Sequence, residues 1–303
     1  MENNFDLIIP VAGKEAGFVH RVTMYARKNL EGLDCIYILT NKKHFKKIAK
    51  SLKGQRDITL LDENTLVDGL TIEYIEDLVK RYTNNVTPGW YFQQFLKYAF
   101  AFTSHAKQYY LSWDADTIPI SKICFFENEH PLFTRKTEYN ENYFKTIEKI
   151  LGITKVVPFS FIAEHMVFNS DIVKEIVRKI SMSSIEGNTW YEKILRAGDY
   201  SVSKPPYSEF ETYGTYASAY YPNLYRTRQL NTFRRGSLIR GRHISDKMLE
   251  TLSFDIDTMS FELRDKAPFP YNIPYIWWRF KDISYKIFHN KPNAILQKLK
   301  RRF

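Results

Sequence analysis

The chain is poor in cysteine and has no long apolar run, and each shortage removes a class of protein. Only Cys35 and Cys124 occur in 303 residues. Two cysteines build no disulfide framework and no zinc site; both sit in apolar runs and are expected as buried free thiols in a reducing compartment. No uninterrupted apolar stretch reaches the length that spans a bilayer. Repeats, low-complexity tracts and a clear linker are also missing. The opening residues, Met1-Glu2-Asn3-Asn4-Phe5-Asp6, lack the basic region and apolar stretch of a secretion signal. The expected location is the cytoplasm, with room for peripheral attachment to the inner face of the cell membrane.

What is present suits one large α/β domain. Hydrophobic residues make up 44% and charged residues 26%, enough for a sizeable core. Aromatics reach 16%, which suits both a core and stacking on bases or sugars. The net charge of +10 calls for an anionic partner: nucleic acid, a phosphorylated substrate or a membrane surface. No nucleic-acid motif is recognisable, so nucleic acid is not the expected partner.

Short apolar runs alternate with helical patterns through the first half. Phe5 to Val11, Cys35 to Thr40, Ile58 to Leu61 and Tyr109 to Trp113 read as strands. Residues 15 to 30, a basic stretch 43 to 52, 71 to 82 and 90 to 105 read as helices. This alternation predicts a mostly parallel sheet flanked by helices. Ligands of such sheets sit beyond the carboxyl ends of the strands. In the second half, Val156 to Phe161 and Met166 to Phe168 read as short strands, and 170 to 181 and 188 to 197 as helices. Residues 1–250 are expected as the catalytic domain, in halves 1–120 and 121–250, with 251–303 as a C-terminal extension.

The strongest chemical signal is Tyr110-Leu111-Ser112-Trp113-Asp114-Ala115-Asp116-Thr117. Two carboxylates one residue apart at a strand end repel each other, and partial burial worsens this. A hard divalent ion, Mn²⁺ or Mg²⁺, relieves the repulsion and bridges to a diphosphate. An ordinary Asp-rich turn after a strand is the competing account; Asp116, deeper in the loop, is the firmer candidate for a metal ligand and Asp114 the second.

Here the chain resembles glycosyltransferases of the GT-A fold, in particular bacterial enzymes of capsule and lipopolysaccharide assembly, over residues 5 to about 245. The resemblance implies a Rossmann-like catalytic domain, a nucleotide-sugar donor (a UDP-sugar first), and a glycan or lipid-linked acceptor. It implies that Asp114 and Asp116 hold metal and diphosphate, and that Pro10 and Val11 of the first-strand loop cradle the nucleoside. Asn41 and Asp62, ending strands two and three, fall where ribose or base is met, although both residue types also end strands as turn formers. His243, late in the domain, falls where a metal-binding histidine is found, with Arg240 and Arg242 placed to offset a leaving diphosphate; a plain basic loop is the competing account.

Three further segments carry candidates. In Pro88 to Lys97, Gln94 and Lys97 share a helix face with Trp90 and suit a phosphorylated sugar; a solvated face is the alternative. In Phe161 to Phe168, Glu164 and His165 interrupt an apolar run and need partners. His165 is read as a base or hydroxyl ligand, with a satisfied core histidine as the alternative. In Pro205 to Gly214, the prolines predict an extended approach. Glu209 and Glu211 would then point the same way, and either would take the acceptor proton; a solvent-facing acidic edge is the alternative. Beyond these, residues 275–303 mix paired Trp with Lys and Arg. Such a segment suits an anionic membrane surface or a helix packed on the domain. A nucleotidyltransferase on a similar fold would need a Gly-rich basic first loop, and this one offers Gly13 and Lys14 alone.

Overall fold

The computed structural model describes residues 4–84, 87–202, 204–273, 277 and 280. In chain order the elements are β1 (Phe5–Pro10), α1 (Val19–Asn29), β2 (Leu33–Thr40), α2 (Phe45–Ser51), β3 (Ile58–Asp62), α3 (Ile72–Tyr82), α4 (Pro88–Ala99), β4 (Tyr109–Trp113), β5 (Thr117–Pro119), β6 (Phe126–Glu127) and β7 (His130–Thr134). There follow α5 (Glu141–Leu151), β8 (His165–Asn169), α6 (Ser170–Met182), α7 (Trp190–Ala197), α8 (Glu209–Tyr220), β9 (Arg226–Arg228), β10 (Thr232–Phe233), α9 (Ser237–Arg240), α10 (Asp246–Leu252) and β11 (Thr258–Ser260).

Five strands form the central sheet in the order β3-β2-β1-β4-β8. The first four are parallel, and β8 runs antiparallel to β4 with Trp113 opposite His165. Side chains alternate across the sheet, so each face feeds its own core. Leu7, Ile9, Ile36, Ile38, Leu111 and Trp113 pack toward α1, α2 and β11. Ile8, Leu39, Tyr110 and Phe168 pack toward α3, α4, α6, α7 and α8. The mostly parallel α/β sheet with helices on both faces is thus the architecture expected from the pattern.

Two small sheets flank it, β10-β11-β5 and β6-β7-β9. β11 pairs antiparallel with β5, Ser260 opposite Thr117. The chain past residue 250 therefore returns to the loop that follows β4. Phe261 N–H donates to the Asp116 carbonyl at 2.8 Å, and the Thr117 and Ser260 hydroxyls meet at 2.8 Å.

Several local expectations are corrected. Residues 156–161 are irregular, tied down by a single bridge between Ser160 and Lys136. The segment after Pro206 is not extended. Ser208 caps a helix there, its hydroxyl accepting from Glu211 N–H at 3.3 Å. The long helix predicted over 90–105 ends at Ala99 and passes into a 3-10 turn at Phe100–Phe102. Cys35 is half-buried and Cys124 exposed, so neither is the fully buried thiol expected; both are free.

Candidate active site

In the order β3-β2-β1-β4 the winding reverses between β1 and β4. An open parallel sheet leaves a crevice at that switch point, outside the strands' carboxyl ends. A cleft of about 730 Å³ lies there. Its floor is the β1 loop, Pro10 to Glu15, facing Asp114, Ala115 and Asp116 beyond β4. One wall is formed by Thr87, Gly89, Trp90 and Gln93 at the start of α4. Asn41, Lys43, His44 and Glu63 close a second side, and Glu164, Arg234, Ser260, Glu262 and Arg264 a third. Gly13 is needed in the floor for room. A Cβ there would lie 2.5 Å from the His44 ring and would push that ring from its place at the cleft's edge.

Asp116 is the most perturbed carboxyl of the cleft. Burial, with Asp114 and Glu15 nearby, pushes its pKa up to about 7, against a partial offset from Arg242. Two carboxylates under mutual repulsion in a buried loop are a donor set of hard oxygens that fits Mg²⁺ or Mn²⁺. Such ions commonly take one or two protein carboxylates and fill the remaining positions with substrate phosphates and water. Among the described residues the closest three-group cluster lies elsewhere, at Asp6, Asp34 and Cys35. Those residues sit at the amino ends of β1 and β2, away from the cleft, and Lys107 already neutralises both carboxylates.

Asp114 is held from behind. Lys97 Nζ donates to Asp114 Oδ1 at 3.0 Å and to Glu209 Oε1 at 2.7 Å. Lys97 is 1% exposed. Burial alone would lower its pKa, but Asp114 and Glu209 outweigh that and raise it, so the ammonium stays charged. Burial raises the Glu209 carboxyl in turn, and Lys97 opposes this. Gln94 completes the support: its amide oxygen accepts from Glu209 N–H at 3.1 Å, and its NH₂ donates to the Trp90 carbonyl at 3.1 Å.

Of the residues singled out in the sequence, Pro10, Val11, Asn41, Asp114 and Asp116 line the cleft together. Gln94, Lys97 and Glu209 lie beneath it as the support of Asp114. Glu211 points elsewhere, accepting from Ser160 Oγ at 2.5 Å and Phe161 N–H at 3.1 Å, and pairing with Lys155 at 3.0 Å. Asp62 caps the turn after β3, accepting from Asn64 N–H at 3.2 Å, while its neighbour Glu63 faces the cleft. Burial raises the Glu63 pKa to about 7. His165 lies in the core, stacked on Trp113 with centroids 5.0 Å apart and 2.8 Å from the Thr134 hydroxyl. Burial drives its pKa well down, so the ring is neutral. His243 is exposed and does not line the cleft; its neighbour Arg242 instead pairs with Glu15 and stacks on Phe18 at 4.7 Å. Arg240 stacks on Tyr271 at 4.5 Å.

Sequence reading passed over Glu15, Glu63, Arg234 and Glu262, and marked Glu164 only as a buried group in need of a partner. They come to the cleft only through topology. Glu164 is the clearest case: because β8 is antiparallel to β4, the residue before β8 must lie beside the residue after β4. Asp114 N–H donates to the Glu164 carbonyl at 2.9 Å.

The family model for DUF6492, described as a family of unknown function, matches residues 4–241. The chain belongs to this family. No curated protein matches it. Several solved structures overlap this DUF6492 chain loosely. The apo WbbM bifunctional glycosyltransferase does so with a TM-score of 0.45 at 12% identity, over 88% of this chain and 47% of that one. The chain thus spans about half the length of WbbM. Apo mouse xyloside xylosyltransferase 1 gives 0.43 at 12% identity, over 88% and 99%. The galactosyltransferase LgtC with donor and acceptor sugar analogues gives 0.40 at 12% identity, over 85% and 87%. With overlaps this loose, the function has to be read from the cleft's own residues.

Proposed function

We propose that this DUF6492 protein is a glycosyltransferase that moves a sugar from a nucleotide-sugar donor, a UDP-sugar first, to a hydroxyl of a glycan or lipid-linked acceptor. The observation that carries this reading is the Asp114/Asp116 pair at the switch-point crevice, with the Asp116 pKa raised to about 7 beside Asp114 and Glu15. The pair would hold Mn²⁺ or Mg²⁺, which supplies charge neutralisation for the departing diphosphate.

The chain's own groups do the rest. The β1 loop, Pro10 to Gly13, offers a close backbone surface to the nucleoside, with Asn41 on one side and Trp90 on the other. Lys97 fixes the direction of Asp114, so its carboxylate does not reorganise when a charged donor arrives. Lys14 and Lys43 put positive charge at the edge of the cleft, where it would offset the leaving phosphates. Surface polysaccharide assembly is the setting that the sequence resemblance favours. A membrane-bound acceptor also agrees with the exposed Phe269, Ile273, Trp277 and Phe280 that lead into the basic tail. Residues 275–303, apart from 277 and 280, lie outside the described residues.

A thermal-shift screen of nucleotide sugars with and without Mn²⁺ tests the proposal. The expected result is stabilisation by one donor class, and only with metal. No shift with any nucleotide, joined to salt-dependent retention on DNA, would reject it in favour of a nucleic-acid-binding protein.

A further inference from the structure

Glu164 is a buried charge in the cleft that the diphosphate site does not use. It is 3% exposed and lies at the wall of the cleft, its carbonyl bonded to Asp114 N–H and both carboxylate oxygens buried just behind that wall. Neither carboxylate oxygen has a hydrogen-bond donor. Arg234 Nε lies 3.1 Å from Oε1 and Lys136 Nζ 4.0 Å from Oε2. These cations balance the charge but leave the lone pairs unfilled. Arg234 spends a hydrogen bond on Glu138 at 2.9 Å, and Lys136 spends one on the Thr232 hydroxyl. A buried carboxylate without hydrogen bonds is costly, and such groups point to a missing partner.

The chemistry of that partner is narrow. A phosphate would be repelled by Glu164 and Asp114 together. A cationic ligand would compete with Arg234 and Lys136, which already neutralise the site. A neutral group bearing two adjacent O–H donors fits, since a carboxylate accepts both at once. We propose that Glu164 binds two neighbouring hydroxyls of the donor's sugar ring and so selects the sugar, independently of the nucleotide. This rests on the glycosyl-transfer reading above.

Calorimetric titration with Mn²⁺ present tests it. The probes are UDP and GDP, and their hexose conjugates UDP-glucose, UDP-galactose and GDP-mannose. Glu164→Ala is expected to weaken the bound conjugate about tenfold or more, the scale of a lost charged hydrogen bond. The parent nucleoside diphosphate should stay within about twofold. Glu164→Gln keeps the shape and one acceptor, and should fall between the two; it also serves if the alanine variant does not fold. Equal loss of conjugate and diphosphate, or loss of neither, overturns the assignment. So does unchanged conjugate affinity with transfer abolished, which would make Glu164 a proton acceptor instead. A wild type that binds none of the five probes defeats the glycosyl-transfer reading itself, and the assignment falls with it.

Discussion

Asp116 carries the highest stakes of any single residue. Its carboxyl prefers the proton in the folded chain, with a pKa of about 7 against 3.8 for the free group. A raised carboxyl pKa stabilises the fold at low pH, and that contribution is lost as pH rises from about 4 through about 7. Without metal, Asp116→Asn should therefore raise the thermal midpoint by several degrees at pH 8 and by clearly less at pH 5. The same variant should lose transfer and metal-dependent nucleotide binding at every pH. A shift in midpoint that is independent of pH would show that charge at Asp116 is not what the fold resists. The contrast with His165 is instructive. Both sit at a strand end, but His165 stacks on the Trp113 ring and meets the Thr134 hydroxyl through Nε2, while its Nδ1 is buried without a partner.

Among the elements, α4, the end of β4 and the start of α8 act as one unit because a single ammonium joins them. Lys97→Met would leave Asp114 and Glu209 facing each other without a cation. The expected cost is about 3–5 kcal/mol in urea unfolding, the usual penalty for stranding a buried partner charge. Adding Glu209→Gln should recover part of it, because the two residues are in contact. Strict additivity of the two losses would deny the coupling.

Legibility divides along the same elements. β1 and β4 could be read because both faces are buried, which writes a nearly continuous apolar run, and Asp114 and Asp116 stand out where β4's run stops. α8 could not. Residues from Glu209 to Ala217 are buried all round, so no amphipathic period marks the helix. The two prolines ahead of it argued for an extended chain, and the capping pair Ser208 and Glu211 was the overlooked signal. The run 156–161 suggested a strand, but Val156 is exposed, and Ser160 Oγ and Phe161 N–H turn to the Glu211 carboxylate instead of a strand partner. Glu15, Glu164 and Glu262 lie far apart in sequence, and no local pattern says that strand pairing will gather them.

At the scale of the whole molecule, the dominant property is a net charge of +10. Part of it is concentrated in α2 and the turn before it, where Lys43 and His44 edge the cleft; the rest includes the basic tail. No helix among the described residues is long and apolar enough to cross a membrane. Binding to phosphatidylserine-rich vesicles should be retained at low salt and reduced at high salt. Removing residues 275–303 should release the protein. Undiminished sedimentation of the shortened chain with vesicles would move the membrane contact onto the folded domain or abolish the idea.

The clasp of β11 on the loop after β4 has a bearing on biosynthesis. Thr117 and Ser260 are 143 residues apart in the chain, yet their hydroxyls touch within the wall of the cleft. Contacts of such long sequence separation form late, because loop-closure entropy has to be met before they contribute. A nascent chain can therefore pair β1, β2, β3 and β4 while its binding loop is still open on one side. On the proposed reading, competence for a donor would arrive only when the segment beyond residue 250 has left the ribosome, and a half-made molecule would not sequester nucleotide.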